Sequence, residues 1–270
     1  MGIHAEIWNL ALIQSDIILG DPRMNQQHLE AMMEHALSAD VKPDVIVLPE
    51  LWNTGYALER IHEIASPPKG ELRAWLGAFA AKNGVSLVAG SVAERGADGL
   101  VRNTMYVYDR TGQETCEYSK IHLFRLMQEE KHLTEGHKTV TFVLDGTVAG
   151  ASICYDIRFP ELSRTLALAG AKVQFVSAQW PNPRLHHWRT LLMARAIENQ
   201  MYVVACNRVG TSGKDHFFGH SMIIDPWGEV IAEGGEEEEI VAAPIRLSLV
   251  DEVRSRIPVF EDRRTDLYRL

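Results

Sequence analysis

Short apolar runs and helically spaced apolar positions take turns along most of the chain. Trp8 to Gln14 reads as a first strand, followed by the turn Gly20-Asp21-Pro22. Leu29, Met32, Met33, Ala36 and Leu37 then fall at i, i+3, i+4, i+7 and i+8. That is the spacing of a helix with one buried face, which Asn25 is placed to cap. Asp44 to Leu48 carries a continuous apolar run, as in a strand covered on both sides, and ends at Pro49-Glu50. Leu72, Trp75, Leu76, Phe79 and Ala80 repeat the helical spacing. Val85 to Val92 and Thr104 to Asp109 read as further strands. The turn Arg110-Thr111-Gly112-Gln113 pairs the second of them with Glu114 to Tyr118 as a hairpin, which delivers Lys120 just past a strand end.

The second half follows the same alternation. Thr139 to Leu144 and Val148 to Cys154 flank Asp145-Gly146, a strong hairpin signal. Ala149, Gly150, Ala151 and Ser152 suit a strand packed closely on both faces. A helix opens at Pro160, puts Leu162 and Leu166 on one side, and closes at Gly170. Val173 to Ser177 is a strand, and a helix from about Arg184 to Asn199 is expected to bury Trp188, Leu191, Leu192 and Ile197. Met201 to Cys206, Ser221 to Ile224, Val230 to Ala232 and Ile240 to Ile245 read as strands, the middle two joined by Asp225-Pro226-Trp227-Gly228. The acidic run Glu236 to Glu239 reads as a solvated turn. The tail, residues 258–270, has no intramolecular place in this pattern. Strands separated by helices, with hairpins among them, predict an α/β fold of mixed sheets with helices on the outer faces.

Composition narrows the partners. The formal net charge of −9 argues against a broad electrostatic grip on nucleic acid or an anionic membrane. Three cysteines (Cys116, Cys154 and Cys206) with no close pair give neither a disulfide framework nor a zinc spacing. His186-His187 and His216 with His220 lack a third ligand at a recognisable interval, so no metal is expected. The start lacks the pattern of a signal peptide, and no apolar stretch is long enough to span a bilayer. A cytoplasmic, thiol-reducing setting is the expectation, and no linker divides the 270 residues, so a single domain is expected.

Three reactive side chains hold equivalent places in this scheme. Glu50, Lys120 and Cys154 each lie at, or just past, the C-terminal end of a predicted strand, where ligands collect in α/β folds. A carboxylate, an amine and a thiol at one crevice supply a base, a cation and a nucleophile. Each also has an ordinary reading: an N-cap, a surface lysine, a small core residue. A protease-like pair of Cys154 with His122 is the rival chemistry, though it leaves Glu50 and Lys120 unused.

The local sequences decide between these. Leu48-Pro49-Glu50-Leu51, Tyr118-Ser119-Lys120-Ile121-His122-Leu123-Phe124 and Cys154-Tyr155-Asp156-Ile157-Arg158-Phe159-Pro160-Glu161-Leu162 resemble, in order, the three signature segments of the nitrilase superfamily of carbon–nitrogen hydrolases. The resemblance extends to the segments 194–200 and 225–230, and so to nearly the whole chain. The form CYDIRFPEL is similar to the ω-amidase branch, including 2-oxoglutaramate amidases associated with methionine salvage.

The resemblance implies a four-layer αββα sandwich, 1–270 as one catalytic domain, and a homodimer or higher oligomer with the tail of residues 258–270 packed on a partner subunit. It implies no cofactor, and hydrolysis of a small carboxamide, such as a dicarboxylic monoamide, to carboxylate and ammonia through a cysteine thioester. Nitrile or N-carbamoyl amide hydrolysis and a non-catalytic binding scaffold are the alternatives. Cys154 is implied as nucleophile, Glu50 as general base and acid, Lys120 as oxyanion partner, and Glu129, rather than its neighbour Glu130, as a second acidic residue in the pocket. The Tyr155 backbone N–H is expected to assist at the oxyanion, and Tyr56, Phe124, Arg158 and Trp180 to line the substrate site. Arg158 is the candidate for a substrate carboxylate, with a structural pair to Glu161 or Asp156 as its other reading.

Overall fold

The computed structural model describes residues 6–268. The first half runs β1 (Ile7–Gln14), α1 (Pro22–Leu37), β2 (Val45–Val47), α2 (Ile61–Ile64), α3 (Glu71–Asn83), β3 (Ser86–Arg95), β4 (Val101–Tyr108) and β5 (Glu114–Ser119). The second half begins with β6 (Thr141–Leu144), β7 (Thr147–Ile153), α4 (Pro160–Leu168), β8 (Val173–Ala178), α5 (Leu185–Asn199) and β9 (Tyr202–Asn207). It continues through the hairpin of β10 (Val209–Ser212) and β11 (Asp215–Phe218), then β12 (Met222–Ile224), β13 (Val230–Glu233), β14 (Glu239–Arg246) and α6 (Ser248–Arg256).

Two mixed six-stranded sheets result, ordered β14-β1-β2-β3-β4-β5 and β13-β12-β9-β8-β7-β6. Their parallel centres are β1-β2-β3 and β7-β8-β9. Alternation along each strand assigns its two faces. Leu10 and Leu12 of β1, with Val45 and Val47 of β2, join Phe175 and Val204 in the core between the sheets. Ala11, Ile13 and Ile46 face the other way, onto Leu29 and Met33 of α1 and Leu76 and Phe79 of α3. Trp188, Leu192 and Ala196 of α5 pack on the second sheet, beside α4. The layers are therefore αββα, as expected.

Several local expectations change. Asp21, not Asn25, caps α1: its carboxylate accepts from Met24 N at 3.1 Å, and Pro22 follows as the first helical residue. Asn25 lies buried a turn inside, tying Ile18 and the Asn53 carbonyl to the helix. Ile197 is 54% exposed, because nine positions after Trp188 is half a revolution round α5. The acidic turn is exposed but not idle, since Glu238 meets His28 and the Asp16 amide. The tail does have an anchor within the chain: Phe260 sits 5.1 Å from the Arg164 guanidinium and 4.9 Å from that of Arg254. Residues 269 and 270 of that tail lie outside the described residues. Among the described residues, no helix is long and apolar enough to cross a membrane.

One irregularity shapes the strand ends. The β3–β4 register shifts between Val88 and Ser91, and Gly90 there has φ +59°. A Cβ on Gly90 would lie 2.1 Å from the Pro49 carbonyl oxygen. The bulge lets Ser91 N reach Pro49 O at 3.1 Å, while Ser91 Oγ accepts from Leu51 N at 2.9 Å, so both neighbours of Glu50 are gripped. Gly90→Ala is expected to destabilise the fold by at least about 1–3 kcal/mol, the usual range for a strained backbone position, and to lower turnover. Urea titration alongside an activity assay checks both.

Candidate active site

Each reactive side chain arrives from the end of a different strand. Glu50 follows β2, Lys120 follows β5, and Cys154 follows β7. The second sheet reaches across to the first here: Ser177 Oγ donates to Leu48 O at 2.8 Å, and Gln179 Nε2 to Glu50 O at 2.6 Å. All three side chains are buried, and they converge.

Lys120 Nζ donates to Glu50 Oε1 at 2.8 Å and to Glu129 Oε1 at 2.7 Å, with all three side chains fully buried. Glu50 also accepts from Asn103 Nδ2 at 2.8 Å, Tyr56 OH at 3.0 Å and Gln179 N at 2.8 Å. Glu129 accepts from Tyr56 OH at 2.7 Å and Phe124 N at 2.9 Å. Burial alone pushes the ammonium towards neutrality, but Glu129 and Glu50 more than reverse this, so Lys120 titrates well above its ordinary range. Burial and the nearby Glu50 charge raise Glu129, against the pull of Lys120. Burial and the same two carboxylates hold the Tyr56 phenol protonated, as a donor.

Cys154 opens a 3-10 turn, Cys154–Arg158, and itself has φ +48°, a strained position for a residue with a side chain. The turn is fixed by the buried Asp156. Its carboxylate accepts from Ile153 N at 2.9 Å, Tyr118 OH at 2.6 Å, and His122 Nδ1 and N at 2.8 and 3.2 Å. The thiol is raised well above its ordinary value, first by burial and then by Glu50, with Lys120 pulling the other way. It therefore rests as the neutral thiol, directed at Gln179 O at 4.0 Å, with the Glu50 carboxylate near enough to act on its ionisation. The Tyr155 N–H belongs to the first residues of the turn, whose amides have no partner inside it.

The structure thus brings Glu50, Lys120, Cys154 and Glu129 together and leaves Glu130 exposed. Phe124, Tyr155, Arg158 and Trp180 line a narrow cavity over the thiol, joined there by Arg184. Tyr56 contributes chiefly through its hydroxyl on the two carboxylates. Arg158 pairs with neither Glu161 nor Asp156; its guanidinium lies 4.7 Å from the Trp180 ring. Trp52 lies behind the site, fully buried with Nε1 on Ala89 O and its ring edge-on to Trp75. His122 bonds Asp156 and stacks on Phe159 at 3.6 Å, which leaves the protease-like pair without its contact. Asn103 and Gln179 escaped sequence reasoning. Their one signal is a polar residue in or beside an apolar strand, which becomes informative once burial is known.

A four-layer αββα sandwich with a carboxylate, an ammonium and a thiol buried at its strand ends has the make-up of a nitrilase-type hydrolase. The chain belongs to the carbon–nitrogen hydrolase family, whose sequence profile matches residues 9–255. It is 50% identical to the 2-oxoglutaramate amidase of Bacillus subtilis (strain 168), over 97% of this chain and 99% of that one. It is 35% identical to the omega-amidase YafV of Escherichia coli (strain K12), over 97% and 98%. Its fold superposes on Saccharomyces cerevisiae Nit3, a member of branch 10 of the nitrilase superfamily. The TM-score is 0.90 with 28% identity, covering 96% of this chain and 97% of that one.

Two outcomes follow from the charges. Glu50→Gln removes a carboxylate that raises the thiol, so Cys154 should ionise at lower pH than in the wild type. Its alkylation by iodoacetamide, followed across pH, should then begin earlier. Lys120→Ala leaves buried carboxylates without their counter-charge. It should cost about 3–5 kcal/mol of stability, read from the urea midpoint.

Proposed function

We propose that this carbon–nitrogen hydrolase cleaves the terminal carboxamide of a short dicarboxylic monoamide, such as 2-oxoglutaramate, to the carboxylate and ammonia. The observation that carries this reading is the convergence of Glu50 and Lys120 behind the Cys154 thiol, which itself lines a cavity that also bears arginine. The relative in Bacillus subtilis that carries that substrate in its name supports the choice among amides.

Glu50 takes the thiol proton as Cys154 Sγ attacks the amide carbon. The carbonyl oxygen becomes an oxyanion, held by the Lys120 ammonium and the Tyr155 N–H. An oxyanion donor of this kind contributes about 3–4 kcal/mol. Protonated Glu50 then returns its proton to the leaving nitrogen, ammonia departs, and a thioester remains on Cys154. Glu50 next takes a proton from water as the water oxygen adds to the thioester carbon. Collapse expels the thiolate, which recovers the proton from Glu50, and the acid is released. Glu129 and Tyr56 hold Lys120 and Glu50 in register through this cycle. Arg158 receives the substrate's free carboxylate.

The same reading makes the active form a homodimer in a thiol-reducing compartment. All three cysteines are free, and Leu267 and Tyr268 in the tail, with Ile257 just before it, expose apolar surface that a second copy would cover. Light scattering should give about twice the chain mass of 30.3 kDa.

Cys154→Ala and Cys154→Ser should abolish ammonia release, and full activity in either ends the mechanism. Wild-type protein given an amide and hydroxylamine should yield the hydroxamate by mass spectrometry, which a binding scaffold cannot. Among 2-oxoglutaramate, 2-oxosuccinamate, glutamine and a short aliphatic nitrile, the 2-oxo amides should turn over fastest. Preference for the nitrile overturns the amide assignment.

A further inference from the structure

The cavity over Cys154 carries two arginines, and only Arg158 has a part in the reading above. Arg184, just before α5, lines the same cavity and also a neighbouring vestibule of about 410 Å³ that includes Tyr56, Gln128 and Lys214. It therefore stands where a substrate passes from one to the other.

Both guanidinia are held by aromatic faces and not by counter-ions. Arg158 lies 4.7 Å from the Trp180 ring centre and Arg184 lies 5.5 Å from that of Phe124. Stacking fixes the plane of a guanidinium but leaves its N–H edge available. The only side-chain hydrogen bond of Arg158 among the described residues is a long one to His187 Nδ1, at 3.4 Å. Among the described residues neither arginine has a carboxylate within ion-pair distance. Burial, with the Arg184 charge adding to it, lowers Arg158 from its ordinary range. Two half-buried like charges facing one cavity without compensation favour an anion that brings the compensation with it.

We propose that Arg184 is a second specificity-determining residue, which with Arg158 forms a two-guanidinium receiver for the end of the substrate away from the scissile amide. This rests on the proposed function. One guanidinium engages the substrate carboxylate edge-on. The other shares that carboxylate with the adjacent 2-oxo oxygen, a second acceptor. An α-ammonium group at that carbon would instead face two cations, so a 2-amino acid amide is disfavoured by charge as well as by lost hydrogen bonds. The clear space in the unliganded cavity admits about one water molecule. The incoming anion thus draws the two arginine edges apart from their aromatic rests as it seats.

The test measures kcat/KM for 2-oxoglutaramate and for pentanamide, a neutral amide of the same chain length, in the wild type, Arg184→Gln and Arg184→Lys. The ratio of the anionic to the neutral substrate should fall about ten- to hundredfold in Arg184→Gln, the span of one charge-assisted hydrogen bond. The loss should lie mainly in KM, and Arg184→Lys should recover part of it. An unchanged ratio overturns the proposal, as does a parallel fall for both substrates, which would mark Arg184 as structural. A wild type with no preference for 2-oxoglutaramate over pentanamide sinks the proposed function itself. A wild type that has the preference and keeps it in Arg184→Gln sinks only the role of Arg184.

Discussion

An ammonium removed from water has to be matched by negative charge, and Lys120 is matched twice, by Glu50 and Glu129 within 2.8 Å. That arrangement constrains everything around it. Two carboxylates against one ammonium leave the pocket negative, and neutral donors spread the excess: Tyr56, Asn103 and the amides of Gln179 and Phe124. These donors come from both sheets and from the loop after β5. Most of the cluster is built by residues 50–129 of the first half, and Gln179 is the partner through which the second sheet closes on Glu50.

Backbone strain gathers at the same place. Leu51, Gln128 and Cys154 all have positive φ, at 42°, 61° and 48°. They follow Glu50, precede Glu129, and carry the thiol. Such positions cost about 1–3 kcal/mol each and persist where surrounding bonds over-determine them. Here the surroundings do so: the Gly90 bulge grips the chain on both sides of Glu50, and Phe124 N anchors Glu129. The strain aims three short side chains inward at points where a relaxed strand or helix end would turn them elsewhere.

How much of this was legible depended on the range of the interaction. Periodicity located the strands whose ends matter, and Asp145-Gly146 and Gly170 take the positive φ expected of a hairpin turn and a helix stop. The Glu50, Lys120 and Cys154 segments stood out because their neighbours are as distinctive as they are. Position alone was weaker. Asn25 had a suitable side chain, but Asp21 sits next to Pro22, so the helix begins one turn earlier. Ile197 is apolar and helical, yet it falls on the outward side of α5. Asn103 and Gln179 were invisible because their partner is Glu50, far along the chain, and nothing local marks that bond. The β10–β11 hairpin and α6 are short and mixed in polarity, so neither period rises above its surroundings.

Asp156 has a consequence of a mechanical kind. Its four hydrogen bonds join the turn bearing the thiol to Tyr118 and His122, the residues flanking Lys120 two positions either side. Sulfur and ammonium thus ride on one stiff bracket, even though they belong to different sheets. A shift of one sheet against the other would have to stretch those four bonds before it changed the gap between sulfur and ammonium.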